Sequence, residues 1–209
     1  LFLTFEGPEG SGKSTQARRL AARLRDLGLD PLESVEPGGT PIGTQIRRVL
    51  LDAKNQELSA TAELLLMFAA RAQNVDQWIV PAMAHGRLVI SDRWTDSTLV
   101  YQGVARGLGS EVVYDIDRVA CRGLVPDLTI LVDIETEAGL ARAHQRNART
   151  NDVETRIDQH SIDFHKKVRA AYLQLAEDEP RRVRLVDGSR SQDEVAEEIW
   201  QIVSPLLQL

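Results

Sequence analysis

Cysteine is nearly absent from this chain. Cys121 is the single thiol in 209 residues, which leaves no disulfide framework and no zinc cluster built on thiolates. No apolar run approaches the ~20 residues of a membrane-spanning helix, and nothing resembles a signal peptide. A reducing cytoplasm is the expected compartment. Basic excess is missing too: the formal net charge is −6, which argues against a nucleic-acid binder working through a broad cationic face. A small anionic ligand held by a local arginine cluster remains compatible with that charge. There are no internal repeats, low-complexity tracts or linkers, so the length fits one domain, residues 1–209. The chain opens on Leu1 rather than Met, so a few residues are expected ahead of the first strand.

What the chain does contain is a glycine-rich loop in a telling place. Gly7-Pro8-Glu9-Gly10-Ser11-Gly12-Lys13-Ser14, followed by Thr15, comes directly after the apolar run Leu1–Phe5. Behind it Ala17, Leu20, Ala21, Leu24 and Leu27 recur on one helical face, with Gly28 as the expected stop. Strand, glycine loop and helix are the setting a phosphate-binding loop needs. Glycines let backbone N–H groups converge on an oxyanion, and the helix N-terminus adds partial positive charge. Lys13 can reach the β- and γ-phosphates, and the Ser14 hydroxyl can ligate Mg²⁺.

Five apolar runs read as strands: Leu1–Glu6, Leu32–Glu36, Arg87–Ser91, Leu128–Asp133 and Val183–Asp187. Helical patterns separate them, so the expected fold is α/β, a five-stranded parallel sheet with helices on both faces. Ligands in such sheets collect beyond the carboxyl ends of the strands. Polar groups stand there: the phosphate loop, Glu36-Pro37-Gly38-Gly39, Asp92-Arg93 and Asp133. Helical patterns run over about Gly43–Leu51 and Thr61–His85, the latter apolar on more than one face around Leu64–Ala70. Such a helix is buried, here in part against another subunit. Arg142, His144, Arg146, Arg149 and Arg156, mixed with Asn147, Thr150, Asn151 and Asp152, read as a mobile lid over about 142–158. The last helix opens on a capping box, Ser191 with Glu194.

A phosphate loop alone is shared by kinases, GTPases, ATPases and motors. No N-K-x-D guanine-reading tetrapeptide is present, which weakens the GTPase reading. Further segments decide between the others: Glu36-Pro37-Gly38-Gly39-Thr40-Pro41-Ile42-Gly43 with Ile46-Arg47, Phe68-Ala69-Ala70-Arg71-Ala72-Gln73, and Ser91-Asp92-Arg93-Trp94-Thr95-Asp96-Ser97-Thr98. Tyr101-Gln102-Gly103 and Pro126-Asp127-Leu128-Thr129 follow in order. Across nearly its whole length the chain resembles the bacterial thymidylate kinases, nucleoside monophosphate kinases of the P-loop class.

That resemblance implies transfer of the γ-phosphoryl of ATP to dTMP, giving dTDP, with Mg²⁺, in a homodimer. It implies that Gly7 to Thr15 hold ATP, with Lys13 on the transferring phosphoryl, and that Ser14 and Asp92 serve the metal. Glu9 is expected near the deoxyribose 3′-hydroxyl, Arg47 and Arg93 on the dTMP phosphate, and Glu36 in the same substrate site. Arg71 matches the residue that donates to a thymine carbonyl, with Thr98 and Gln102 on the other polar edge of the base. Tyr101 is expected to crowd the sugar 2′ position. Because the loop holds Ser11 and no arginine, Arg146 and Arg149 in the lid are the catalytic candidates. The pattern is departed from in two places. The aromatic that stacks on thymine commonly lies four residues before the arginine matching Arg71; that place is Met67 here, and the expectation passes to Phe68 on the same helix face. The lid is longer around Ala148–Asn151, and Thr155 replaces an acidic residue before Arg156.

Overall fold

Near-continuous apolar strands require cover on both faces of the sheet. The computed structural model, which describes residues 1–150 and 154–207, provides it. Among the described residues five strands, β1 (Phe2–Glu6), β2 (Leu32–Val35), β3 (Val89–Asp92), β4 (Leu128–Asp133) and β5 (Val183–Asp187), pair in parallel in the order β2-β3-β1-β4-β5. The helices are α1 (Lys13–Asp26), α2 (Pro41–Leu51), α3 (Ala60–Asn74), α4 (Val80–Ala84), α5 (Thr95–Thr98), α6 (Ser110–Ala120), α7 (Thr136–Thr150), α8 (Ile162–Asp178) and α9 (Gln192–Val203).

Successive strand residues point to opposite faces, and the core divides accordingly. Leu3 and Phe5 of β1 pack with Leu20 and Leu24 of α1 and Ile199 of α9. Phe2 turns the other way, toward Leu64 and Phe68 of α3 and Trp94. Leu131 of β4 meets Val168 and Tyr172 of α8. Full burial of each such side chain is worth roughly 1.5–3 kcal/mol, and these contacts fix how α1, α3 and α8 sit against the sheet.

Helix starts follow local chemistry. Side chains of Thr40, Ser59 and Ser161 accept from backbone N–H groups three residues on, and the Ser191–Glu194 capping box forms as read from the sequence. Gly28 adopts φ 83 beyond α1, where the Leu29 N–H bonds the Leu24 carbonyl at 3.0 Å and closes the helix. The continuous helix expected over Thr61–His85 is instead α3, a π-helical turn over Val75–Ile79, and α4. Pro81 in α4 has no N–H to give the ladder, and the widened turn lies just before it. A second π-helical segment, Leu99–Ala105, follows α5.

The register aligns the functional ends. Asp92 is level with Phe5 on one side and Val35 on the other. The ladder runs on past the strands, with Arg93 N–H on the Phe5 carbonyl and Glu36 N–H on the Asp92 carbonyl, both at 2.9 Å. The phosphate loop, Glu36 and Asp92-Arg93 therefore leave the sheet side by side. In the segment read as a lid, α7 carries Arg142, Arg146 and Arg149 as one helix; Asn151 and Asp152 lie outside the described residues. Among the described residues no helix is long and apolar enough to cross a membrane.

Leu24 is fully buried between α1 and the sheet. Leu24→Ala is expected to lower unfolding free energy by about 2–5 kcal/mol, measured by urea denaturation.

Candidate active site

The strand ends open into one cleft of about 1120 Å³, lined by loop residues Glu9 to Ser14, by Glu36, Arg47, Met67, Arg71, Asp92 and Arg93, and by Thr98, Tyr101 and Gln102. Arg142, Arg146, Glu154 and Asp158 form its rim from the lid side. The loop is shaped by close backbone approach. At Gly10, with φ 70, a Cβ would stand 2.0 Å from the Gly139 carbonyl oxygen, so no larger residue fits between the loop and α7. Lys13 is buried, with Nζ 3.4 Å from the Pro8 carbonyl and 3.9 Å from Glu9. Burial, then the nearby Arg93, lower its pKa.

Arg93 is the hub. Its backbone takes the left-handed φ of 75, which turns the side chain from the end of β3 back across the loop. One terminal nitrogen donates to both Glu9 oxygens at 3.1 Å. The other donates to Ser97 Oγ at 2.9 Å and Tyr172 Oη at 3.3 Å. Such strain outside glycine persists only where neighbours enforce it. Glu6 is the enforcer: its buried carboxylate accepts from Trp94 N–H at 2.7 Å, Ser97 N–H at 3.2 Å and Tyr172 Oη at 2.9 Å. Burial and then the Asp96 charge push Glu6 up to about 7, against the pull of Arg93. Glu9 shows the opposite outcome. Burial would raise it, but Arg93, Lys13 and the Tyr101 hydroxyl, 2.8 Å away, together hold it down at about 2.

Arg71, also in the cleft lining, is buried and fixed on three sides. It pairs with Glu36 through Nε and donates to Thr95 Oγ1 at 3.3 Å and Thr98 Oγ1 at 3.0 Å. Burial raises the Glu36 pKa against the opposing Arg71 charge. Arg47 donates to Glu154 at 2.7 Å and to the Pro37 carbonyl at 2.9 Å. Ser14, which is exposed, and Asp92 both line the cleft, so the oxygen donors present are a hydroxyl and a carboxylate. That set suits Mg²⁺, which keeps several waters and takes its remaining ligands from phosphates. Among the described residues no group of three or more His, Cys, Asp or Glu could hold a metal unaided.

Three expected residues lie elsewhere. Phe68 is 2% exposed and packs in the core with Phe2 and Trp94; Met67, one step round α3, lines the cleft instead. Arg149 is exposed and does not line the cleft, unlike Arg146. It lies on the same helix face but seven residues beyond Arg142, about 10 Å further along the axis. Arg156 is buried, donating to the Leu50 carbonyl and to Glu63. Glu6, Glu63 and Tyr172 escaped the sequence reading. Glu63 left one signal, a carboxylate at the head of an apolar helical run.

With this geometry in hand, comparison with known proteins is specific. A model of the thymidylate kinase family matches residues 5–199. The thymidylate kinase of Solidesulfovibrio magneticus is 46% identical over 209 residues, 99% of this chain and 100% of that one. That of Syntrophotalea carbinolica is 47% identical over 100% of this chain and 97% of its own. The crystal structure of thymidylate kinase from Ehrlichia chaffeensis superposes with a TM-score of 0.77 at 26% identity, covering 98% of each chain.

Glu9 supports a pH test. Its depressed pKa means stability that is present above the ordinary carboxylate value of 4.5 and is lost as pH falls toward about 2. Glu9→Gln is expected to remove on the order of 3 kcal/mol of stability at pH 7 and to flatten the decline below pH 4.5, read from denaturation at pH 7 and pH 3.

Proposed function

The chain belongs to the thymidylate kinase family, phosphotransferases that pass the γ-phosphoryl of ATP to dTMP to form dTDP, and from that premise we propose how the cleft divides the work. An oxygen of the dTMP phosphate forms the new bond to the γ-phosphorus as the bond to the β–γ bridging oxygen breaks and ADP leaves. Bringing two anions together needs cations on both sides and little covalent chemistry. Lys13 and the loop N–H groups serve the ATP side. Arg93 and Arg47 serve the acceptor phosphate, where bidentate guanidinium groups suit phosphate oxygens.

One observation carries this division: Arg93 and Lys13 share the single carboxylate of Glu9, so two cations already face one small volume. Ser14 and Asp92 are the groups that would hold Mg²⁺. When bound, the ion neutralises charge developing on the β- and γ-phosphate oxygens. Arg71, held by Glu36 and Thr98, meets a thymine carbonyl, and Gln102 meets the base edge beside it. Met67 provides the apolar contact to the base, and Tyr101, anchored on Glu9, stands against the sugar. A homodimer accords with Leu65 of α3 and Val112 and Val119 of α6, all exposed. We read the chain as a single domain with its lid on α7 from Arg142 onward, working in the cytoplasm.

Turnover with ATP and Mg²⁺ across dTMP, dUMP, UMP, CMP and AMP tests this reading. dTMP is expected to lead the panel, and preference for a different acceptor would overturn it.

Among the lid arginines, Arg146 lines the cleft and Arg149 does not. Arg146→Ala is therefore expected to lower kcat by about 10²-fold or more while leaving ATP affinity nearly unchanged, as for a group acting mainly in the transition state. Arg149→Ala is expected to have the smaller effect. Single-turnover rates and equilibrium ATP binding distinguish the two.

A further inference from the structure

Glu63 is fully buried, yet it is ionisable and it touches the wall of the cleft through another residue. Its Oε1 accepts from Gln102 Nε2 at 2.8 Å and from Arg106 Nε at 3.2 Å. Its Oε2 accepts from Arg106 Nη2 at 2.7 Å and Arg156 Nη2 at 2.6 Å. Burial would raise its pKa, but the hydrogen bonds from Arg106, Gln102 and Arg156 hold it below the ordinary value. Glu63 is therefore an anion, and an ionised carboxylate only accepts hydrogen bonds.

Consequences follow for Gln102, which lines the cleft and is 2% exposed. A primary amide has a donor end and an acceptor end. With the nitrogen turned to Glu63, the carbonyl oxygen is the end left for a ligand. Turning the amide over would set that oxygen against a buried anion while stranding the nitrogen, so the orientation is fixed electrostatically. The Arg71 guanidinium, a pure donor, stands in the same cleft. An acceptor and a donor in one cleft match an imide edge, where N3–H lies next to a carbonyl. It opposes the edge of cytosine, where N3 is an acceptor and its neighbour an amino group.

We propose that Glu63 is a positioning residue for base selection: by holding the Gln102 amide nitrogen it keeps the amide oxygen toward the cleft, and so favours acceptors carrying N3–H over cytosine nucleotides. This rests on the reading of Gln102 at the base edge, and the test separates the two. Arg106 and Arg156 contribute by keeping the carboxylate charged and in place.

The experiment compares kcat/KM for dTMP, dUMP and dCMP in the full-length enzyme and in Glu63→Gln, Gln102→Leu and the double variant. Glu63→Gln is expected to lower the dTMP-to-dCMP ratio about tenfold or more, because a site that hydrogen-bonds a substrate N–H discriminates strongly only while its own polar groups are fixed. The dTMP-to-dUMP ratio is expected to hold, since both bases share the imide edge. Gln102→Leu should collapse the dTMP-to-dCMP ratio, and adding Glu63→Gln to it should cause no further fall. An equal loss with all three acceptors in Glu63→Gln, with Gln102→Leu still collapsing the ratio, makes Glu63 merely structural and overturns the proposal. An unchanged ratio in Gln102→Leu overturns the proposal and the reading of Gln102 together. If Glu63→Gln fails to fold, Glu63→Asp takes its place with the same outcomes, because it keeps the anion between the arginines and withdraws it from Gln102.

Discussion

A site built to hold two phosphorylated ligands must concentrate positive charge before either arrives. Like charges about 4 Å apart repel by ~4 kcal/mol at the effective dielectric of a partly buried site, so the cations cannot stand alone. In this protein three cleft arginines each rest on a carboxylate: Arg93 on Glu9, Arg71 on Glu36 and Arg47 on Glu154. Lys13 leans on Glu9 as well. These anions hold the guanidinium groups in place at the cleft wall, so that little side-chain ordering is left to do when a ligand binds.

The sheet makes that arrangement possible. Parallel strands present their carboxyl ends together, and the register sets Phe5, Val35 and Asp92 level. Three chain segments far apart in sequence thus emerge within one cleft mouth. The cost appears at Arg93, whose left-handed backbone is enforced by the Glu6 carboxylate behind it. The Glu6 acid, pushed up by burial, and the strained Arg93 beside it belong to one device. Glu6 orders the turn, and the turn aims Arg93.

The phosphate loop, the strands and the helix starts were legible in the sequence because each is decided locally. Glycines at fixed offsets, alternation within apolar runs, and Ser or Thr before a helix act over a few residues. The resemblance to a family carried the rest of the candidate site, and Arg93, Arg71 and Arg47 do line one cleft. What stayed hidden depends on tertiary partners. Arg156 reads as one more lid arginine, and nothing nearby in sequence reveals that Glu63, 93 positions away, takes its guanidinium into the interior. Phe68 and Met67 differ by one step round a helix, and only the packing of α3 against Phe2 and Trp94 decides which faces the core. Composition was blind to the π-helical segment over Leu99–Ala105, since it differs from an α-helix in hydrogen-bond spacing rather than in residue type.

That segment carries two neighbouring side chains of the cleft wall. Tyr101 and Gln102 are adjacent in the chain, yet their polar atoms are held by different carboxylates. The Tyr101 hydroxyl reaches Glu9 and Arg93, where charge collects, while the Gln102 amide reaches the buried Glu63 of α3. A nucleotide has a charged end and a flat, polar-edged end separated by one sugar. On the proposed reading, two consecutive side chains, one held by Glu9 and the other by Glu63, answer to those two ends. Movement of the loop or of α3 alone would break one of the two hydrogen bonds, so the spacing of the site is tied to the packing of both.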